Sequence, residues 1–129
     1  PEGALEVATT VIEPEATNWL LHYDFDANAH TLEIDDSEGV FRIDAIATEI
    51  QKVGYERYRI EGDDVHSAQA ETRWRMGFFR KEWMVNTETW TRMSCTAEAF
   101  RIEATLRAYE DGELVYEQDW DQWIPRRHL

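Results

Sequence analysis

From Gln69 to Pro125, apolar and polar residues alternate with period two in four consecutive segments. Such alternation marks strands of an antiparallel sheet with one face turned inward. The inward set of the first segment is Thr72, Trp74, Met76 and Phe78; the second gives Trp83, Val85, Thr87, Thr89, Thr91, Met93 and Cys95. The third contributes Phe100, Ile102, Ala104, Leu106 and Ala108, and the fourth Leu114, Tyr116, Gln118 and Trp120.

The turns between segments predict their register. A two-residue loop at Ala97-Glu98 sets Cys95 opposite Phe100, Met93 opposite Ile102 and Thr89 opposite Leu106. The same choice opposes Arg92 to Glu103 and Glu88 to Arg107 on the other face, so apolar and charged pairs agree. At Glu110-Asp111-Gly112 a two-residue turn would oppose Leu106 to Glu117. A three-residue loop with Gly112 in the left-handed region instead pairs Ala108 with Leu114 and Leu106 with Tyr116, and is the expected form. A two-residue loop at Arg80-Lys81 pairs Phe78 with Trp83 and brings Arg73 opposite Glu88.

The first half reads in the same way. Leu5–Ile12 is a first strand, closed by Glu13-Pro14, and Asn18–Phe25 places Trp19, Leu21, Tyr23 and Phe25 on one side. His30–Asp35 follows, and Asp36-Ser37-Glu38-Gly39 carries the residues of a tight turn. Val40–Glu49 reads as a strand, with a short helix from Ala45 as the competing form because Ala and Glu favour helix. Lys52-Val53-Gly54 is a turn or bulge before the strand of Tyr55, Tyr58 and Ile60, and Glu61–Ser67 is a polar link. The expected fold is all-β: an antiparallel meander of eight or nine strands, as a strongly curved sheet or an up-and-down barrel of lipocalin-like shape.

At 129 residues the chain suits a single domain with a substantial core. Its formal net charge of -14 speaks against nucleic acid or an anionic membrane as a partner. The acidity is lopsided: residues 1–65 hold 16 acidic and 4 basic side chains, residues 66–129 hold 11 and 9. The single cysteine forms no internal disulfide, no apolar run has membrane-spanning length and no signal-peptide pattern opens the chain. A cytoplasmic setting is favoured on those grounds. The Pro-Glu-Gly start and the basic ending Arg126-Arg127-His128-Leu129 suggest a piece of a longer polypeptide.

Candidate chemistry is sparse. Cys95 falls among Met93, Phe100 and Ile102, where a thiol acts as a small hydrophobe. His22, His30, His66 and His128 are scattered, and no nucleophile elbow, zinc-protease helix or phosphate loop occurs. Asp24-Phe25-Asp26-Ala27-Asn28 spaces oxygens like a calcium loop, with Asp35 at the twelfth position. Ala29 stands where such a loop needs Gly, and Asp35 where it needs Glu, so surface acids are the better reading. Asp111, Glu113, Glu117 and Asp119 form an outward row rather than a converging carboxylate pair. No catalytic residue, cofactor or metal is therefore expected. Trp90 falls on the charged outer face and Trp123 just past the last strand, and both are candidates for contact with another domain or subunit.

Tyr58–Trp74 and Trp83–Arg126 resemble the extreme C-terminal region of the X-prolyl dipeptidyl-peptidase and cocaine-esterase-like branch of α/β-hydrolases. The likeness rests on three elements: Asp63-Asp64-Val65-His66-Ser67-Ala68-Gln69-Ala70, the hairpin Ala108-Tyr109-Glu110-Asp111-Gly112, and the ending Trp120…Ile124-Pro125-Arg126. It covers roughly the last 70 residues well and the first 57 loosely. The resemblance implies a non-catalytic accessory β domain of a serine hydrolase, partnered by the parent's catalytic domain or another subunit. The family's nucleophile, acid and histidine lie upstream of the matching region, so none maps onto this chain. Strand order and aromatic content alone support another expectation, an autonomous barrel that binds a small hydrophobic ligand.

Overall fold

A computed structural model describes residues 6–127 as one eight-stranded antiparallel sheet. The strands are β1 (Thr9–Glu13), β2 (Ala16–Asp24), β3 (Ala29–Ile43), β4 (Thr48–Glu61), β5 (Asp64–Arg80), β6 (Trp83–Cys95), β7 (Ala99–Glu110) and β8 (Glu113–Pro125). Their order is sequential, so all-β meander is the architecture. β1 and β2 lie along the same edge of β3, β1 against Val40–Ile43 and β2 against Ala29–Ser37. They behave as one edge strand interrupted at Pro14, which has no N–H to donate to a ladder.

The sheet is open: no ladder joins β8 to β1 or β2. Barrel closure is thus absent among the described residues. Part of the expected first strand, Leu5, lies outside them; the remainder is shorter than expected and begins at Thr9.

Several turns fall elsewhere than the pattern predicts. Asp36–Gly39 does not reverse the chain; β3 runs through it with a register shift between Ser37 and Val40. Gly39 takes φ +73, and a Cβ there would collide with the Glu13 carbonyl where β1 passes into β2. The reversal comes at Asp44–Ile46, a single 3-10 turn closed by Ala47 at φ 48. Gly54, in turn, sits inside β4, where Trp74 of the neighbouring strand covers it. With no bulge at 52–54, Tyr55 faces away from Tyr58 and Ile60.

The β6–β7 register is as the sequence predicts, with Cys95 opposite Phe100 and Glu88 opposite Arg107. At β5–β6 the loop is one residue later, so Arg80 pairs with Trp83, Phe78 with Val85, and Glu88 faces Arg75 instead of Arg73. The Arg80 guanidinium donates to the Thr48 hydroxyl (3.1 and 3.0 Å), which holds Arg80 inside the strand. The β7–β8 turn is the tight form, with Asp111 at φ 49 and Gly112 at φ 83. A register shift beside Tyr109 then brings Leu106 opposite Gln118 and Ala108 opposite Tyr116. That bulge keeps Tyr116 and Trp120 on the face of Ala108 and Leu106, whereas Leu114, expected opposite Ala108, pairs with Tyr109 instead.

One sheet makes one layer, and a stable domain ordinarily packs two. Among the described residues only Ala29, Ile34 and Val40 are buried hydrophobics, with Thr31, Thr48 and Asn86 the buried polar ones. The substantial core expected from length is therefore not assembled here. The inward-assigned residues apart from Leu114 are aligned on one face, but Met93, Trp83, Tyr116 and Trp120 are each more than a third exposed.

Candidate functional site

The ladders sort the side chains into two unlike faces. Reading across from β2 to β8, one row runs Trp19, Ile34, Glu56, Thr72, Thr91, Ala104, Trp120. The next runs Leu21, Leu32, Tyr58, Ala70, Met93, Ile102, Gln122. This face is mainly apolar, interrupted by Glu56, Thr72, Thr91 and Gln122, and Leu21 at 70% and Trp19 at 65% exposure show how bare it is.

The opposite face is a charge lattice. One row reads Glu33, Arg57, Glu71, Arg92, Glu103, Asp121 and another Arg75, Glu88, Arg107, Glu117. Opposed positions do not always form ion pairs. Arg107 turns from Glu88 to Glu117 (2.7 Å), and Arg92 donates to Gln69 (2.9 Å). Arg101 grips Asp121 through two bonds of 2.9 and 2.8 Å, which raises its own pKa and holds the Asp121 carboxyl below its ordinary range. An aromatic side chain is anchored in the same lattice. The Tyr55 hydroxyl donates to Glu33 (2.9 Å), and this bond leads in lowering the Glu33 pKa, helped by His22 and Arg57. Burial, and then the Glu33 bond, push the Tyr55 hydroxyl upward. Burial pushes Glu71 up, but the Arg73 guanidinium, bonded at 2.9 and 2.6 Å, leads the partners that outweigh it and leave its pKa lowered.

Both sequence-predicted contact residues lie on this charged face. Trp90 is half-buried in β6 between Arg73 and Thr105. Trp123 is inside β8 rather than past it, opposite Arg101, whose guanidinium stands 5.5 Å from its ring. They occupy different rows and do not meet. Sequence reasoning missed Tyr55, which reaches Trp90's row through Arg73. Local alternation holds no signal for a neighbour two strands away.

A concavity of about 720 Å³ opens on this face, floored by Val53, Tyr55 and Trp90 and bordered by Asn18, Asp35, Arg75 and Glu88. The apolar face carries a second, of about 480 Å³, lined by Leu21, Tyr58, Met93, Cys95, Phe100 and Arg126. The Cys95 thiol there points at the carbonyls of Val65 and His66 (3.5 and 3.7 Å), and among the described residues it makes no hydrogen bond to a carboxylate or an imidazole nitrogen. No group of three potential metal ligands occurs among the described residues. Asp24, first in the calcium-like spacing, accepts from the backbone N–H groups of Asp26 and Ala27 (3.0 Å each) and serves the β2–β3 turn.

The segment Asp63–Ala70 has a structural role. Ser67 accepts from the Glu61 N–H (2.8 Å) and donates to the Asp64 carbonyl (2.6 Å), while Asp64 accepts from the His66 N–H (2.9 Å). Together they pin the β4–β5 hairpin. Arg126 closes the far end: its N–H donates to the Glu98 carbonyl, and its guanidinium to the Thr96 carbonyl (3.0 Å) and His66 Nδ1 (3.2 Å). Compared with known protein families, curated proteins and solved structures, the chain matches none of them.

Proposed function

We propose that this chain is a non-catalytic β module of a larger serine hydrolase, of the peptidase and esterase type that its second half resembles. Its apolar face packs against the remainder of that protein. The observation that carries the reading is the bareness of that face. The chain exposes 9535 Å², whereas a compact monomer of its mass exposes about 7,100 Å². The difference, about 2,400 Å², exceeds what one partner contributes to a standard-sized interface. A mainly apolar sheet face left uncovered is the half of a core that a second layer completes. Self-association answers the need poorly, because each copy brings a net charge of -14.

Acyl transfer requires an activated nucleophile, a base in reach and oxyanion donors. Cys95 faces backbone carbonyls, and Ser67 is spent on a turn. The module's part is to brace the catalytic body.

Purified residues 1–129 are expected to turn over neither acyl esters nor aminoacyl-proline substrates. They are also expected to bind a fluorescent apolar dye, and Trp120→Asp to weaken dye binding by interrupting the apolar row. Turnover that persists through purification and vanishes in Cys95→Ala would overturn the reading. So would an isolated chain that binds no dye. The concavity beside Cys95 favours a second reading, in which a small hydrophobic ligand lies on Met93, Phe100 and Leu21. That reading requires a saturable stoichiometric site lost in Met93→Asp, with the rest of the face remaining available to the dye.

A further inference from the structure

The groove on the charged face is independent of the docking reading, because it opens away from the apolar surface. Its floor holds two aromatic rings on β4 and β6, Tyr55 and Trp90, in one cross-strand row with Arg73 between them. Two strand spacings separate them, about 10 Å. Tyr55 is anchored by its polar tip to a carboxylate of the adjacent row, Glu33 (2.9 Å), and Trp90 is half-buried in β6. The Tyr55 platform is therefore held before anything binds, which lowers the ordering cost of association.

The charges around the floor divide into spent and free. Arg73 is engaged by Glu71 (2.6 Å) and Arg107 by Glu117 (2.7 Å). Among the described residues, Arg75, Glu88 and Asp35 make no ion pair or side-chain hydrogen bond, although Arg75 and Glu88 are direct cross-strand partners. The free groups are thus a five-donor guanidinium, two acceptor-only carboxylates and the Asn18 amide, one positive charge against two negative. A strongly anionic or cationic ligand would meet one sign wrongly. A ligand rich in hydroxyls meets both, since a hydroxyl donates to a carboxylate and accepts from a guanidinium.

We propose that this groove binds a neutral, extended saccharide, with the C–H faces of sugar rings on Tyr55 and Trp90 and hydroxyls on Arg75, Glu88 and Asp35. The platform spacing is about that of a disaccharide unit in an extended β-linked chain. The groove's open form suits a polymer that crosses the strands; a free amino acid or short peptide with paired end charges would need an enclosing pocket to desolvate them.

The test uses the whole chain and cellohexaose as probe, with mannohexaose as a second neutral saccharide and oligogalacturonate and a zwitterionic tripeptide as charged comparators. Calorimetry is expected to show saturable binding of at least one neutral saccharide, little changed by salt. Trp90→Ala and Tyr55→Ala should each weaken it about tenfold or more. Arg75→Ala, at an exposed and unpaired side chain, should weaken it severalfold and guards against a misfolded aromatic variant. Trp90→Phe should retain binding while removing most of the ligand-induced change in tryptophan fluorescence. Four results would each overturn the proposal: no neutral saccharide bound at millimolar concentration, affinity unchanged in folded Trp90→Ala and Arg75→Ala, preference for the tripeptide, or binding confined to oligogalacturonate and abolished by salt. None of them bears on whether the opposite face docks.

Discussion

The six-membered ring of Trp74 covers Gly54 on the neighbouring strand, so that a Cβ built on Gly54 would lie 2.6 Å from the ring carbons. Lys52 Nζ stands 5.0 Å from the same indole. Glycine in a strand interior ordinarily weakens it, and here its absent side chain is the space an aromatic ring fills. Gly54→Ala is therefore expected to displace the indole and cost about 1–3 kcal/mol. In a Trp74→Ala background the same change should cost almost nothing, and denaturant melts of the four proteins measure the coupling. An equal cost in both backgrounds would refute the contact.

Ala47 closes the β3–β4 connection at φ 48, a conformation in which its methyl group crowds the backbone. Ala47→Gly should stabilise the chain by about 0.5–1 kcal/mol, the relief of left-handed strain exceeding the added chain entropy. A lower melting midpoint for this variant would show that the turn does not take that form.

Three carboxylates, Glu33, Glu71 and Asp121, have pKa values lowered in the folded state by the partners described above. A depressed carboxyl stabilises the fold above its unfolded pKa, and the contribution is lost as pH falls through the folded value. Stability should therefore be flat near neutrality and decline below about pH 4, the unperturbed carboxylate range. Asp121→Asn should remove part of that acid limb, because Arg101 then loses a charged partner. An unchanged pH profile in Asp121→Asn would count against the pair.

Arg126 ties the end of β8 to the β6–β7 turn, with its guanidinium 4.9 Å from the Phe100 ring. Arg126→Ala should cost about 1–2 kcal/mol and speed amide exchange at Thr96 and Ala99. Phe100→Ala, full burial being absent, should cost about 1–2 kcal/mol rather than the larger loss of a core phenylalanine. Exchange rates unchanged in Arg126→Ala would mean the tail is not held there.

Much of the architecture was legible because alternation is a strictly local signal. The meander, the facing of Trp74 with Met76 and of Phe100 with Ile102, and the β6–β7 register all follow from period two and a short turn. Registers at β5–β6 were less legible. A shift by two residues leaves every side chain on its face, so the pattern cannot tell Arg73 from Arg75 opposite Glu88. That choice is made by Arg80 and Thr48, which are far apart in sequence.

For the candidate site, alternation placed Trp90 on the charged face and missed Tyr55, whose phase depends on β4 running straight through Gly54. Whether Gly39, Gly54 or Gly112 marks a bulge, a covered strand or a turn depends on what approaches it: the Glu13 carbonyl, the Trp74 ring, or nothing. The sequence by itself determined the strands of the second half and the two unlike faces, since these depend on neighbours two residues away. Only the tertiary structure decided that the edges stay apart and the apolar face stays bare, because closure and covering depend on summed twist and on contacts between distant segments.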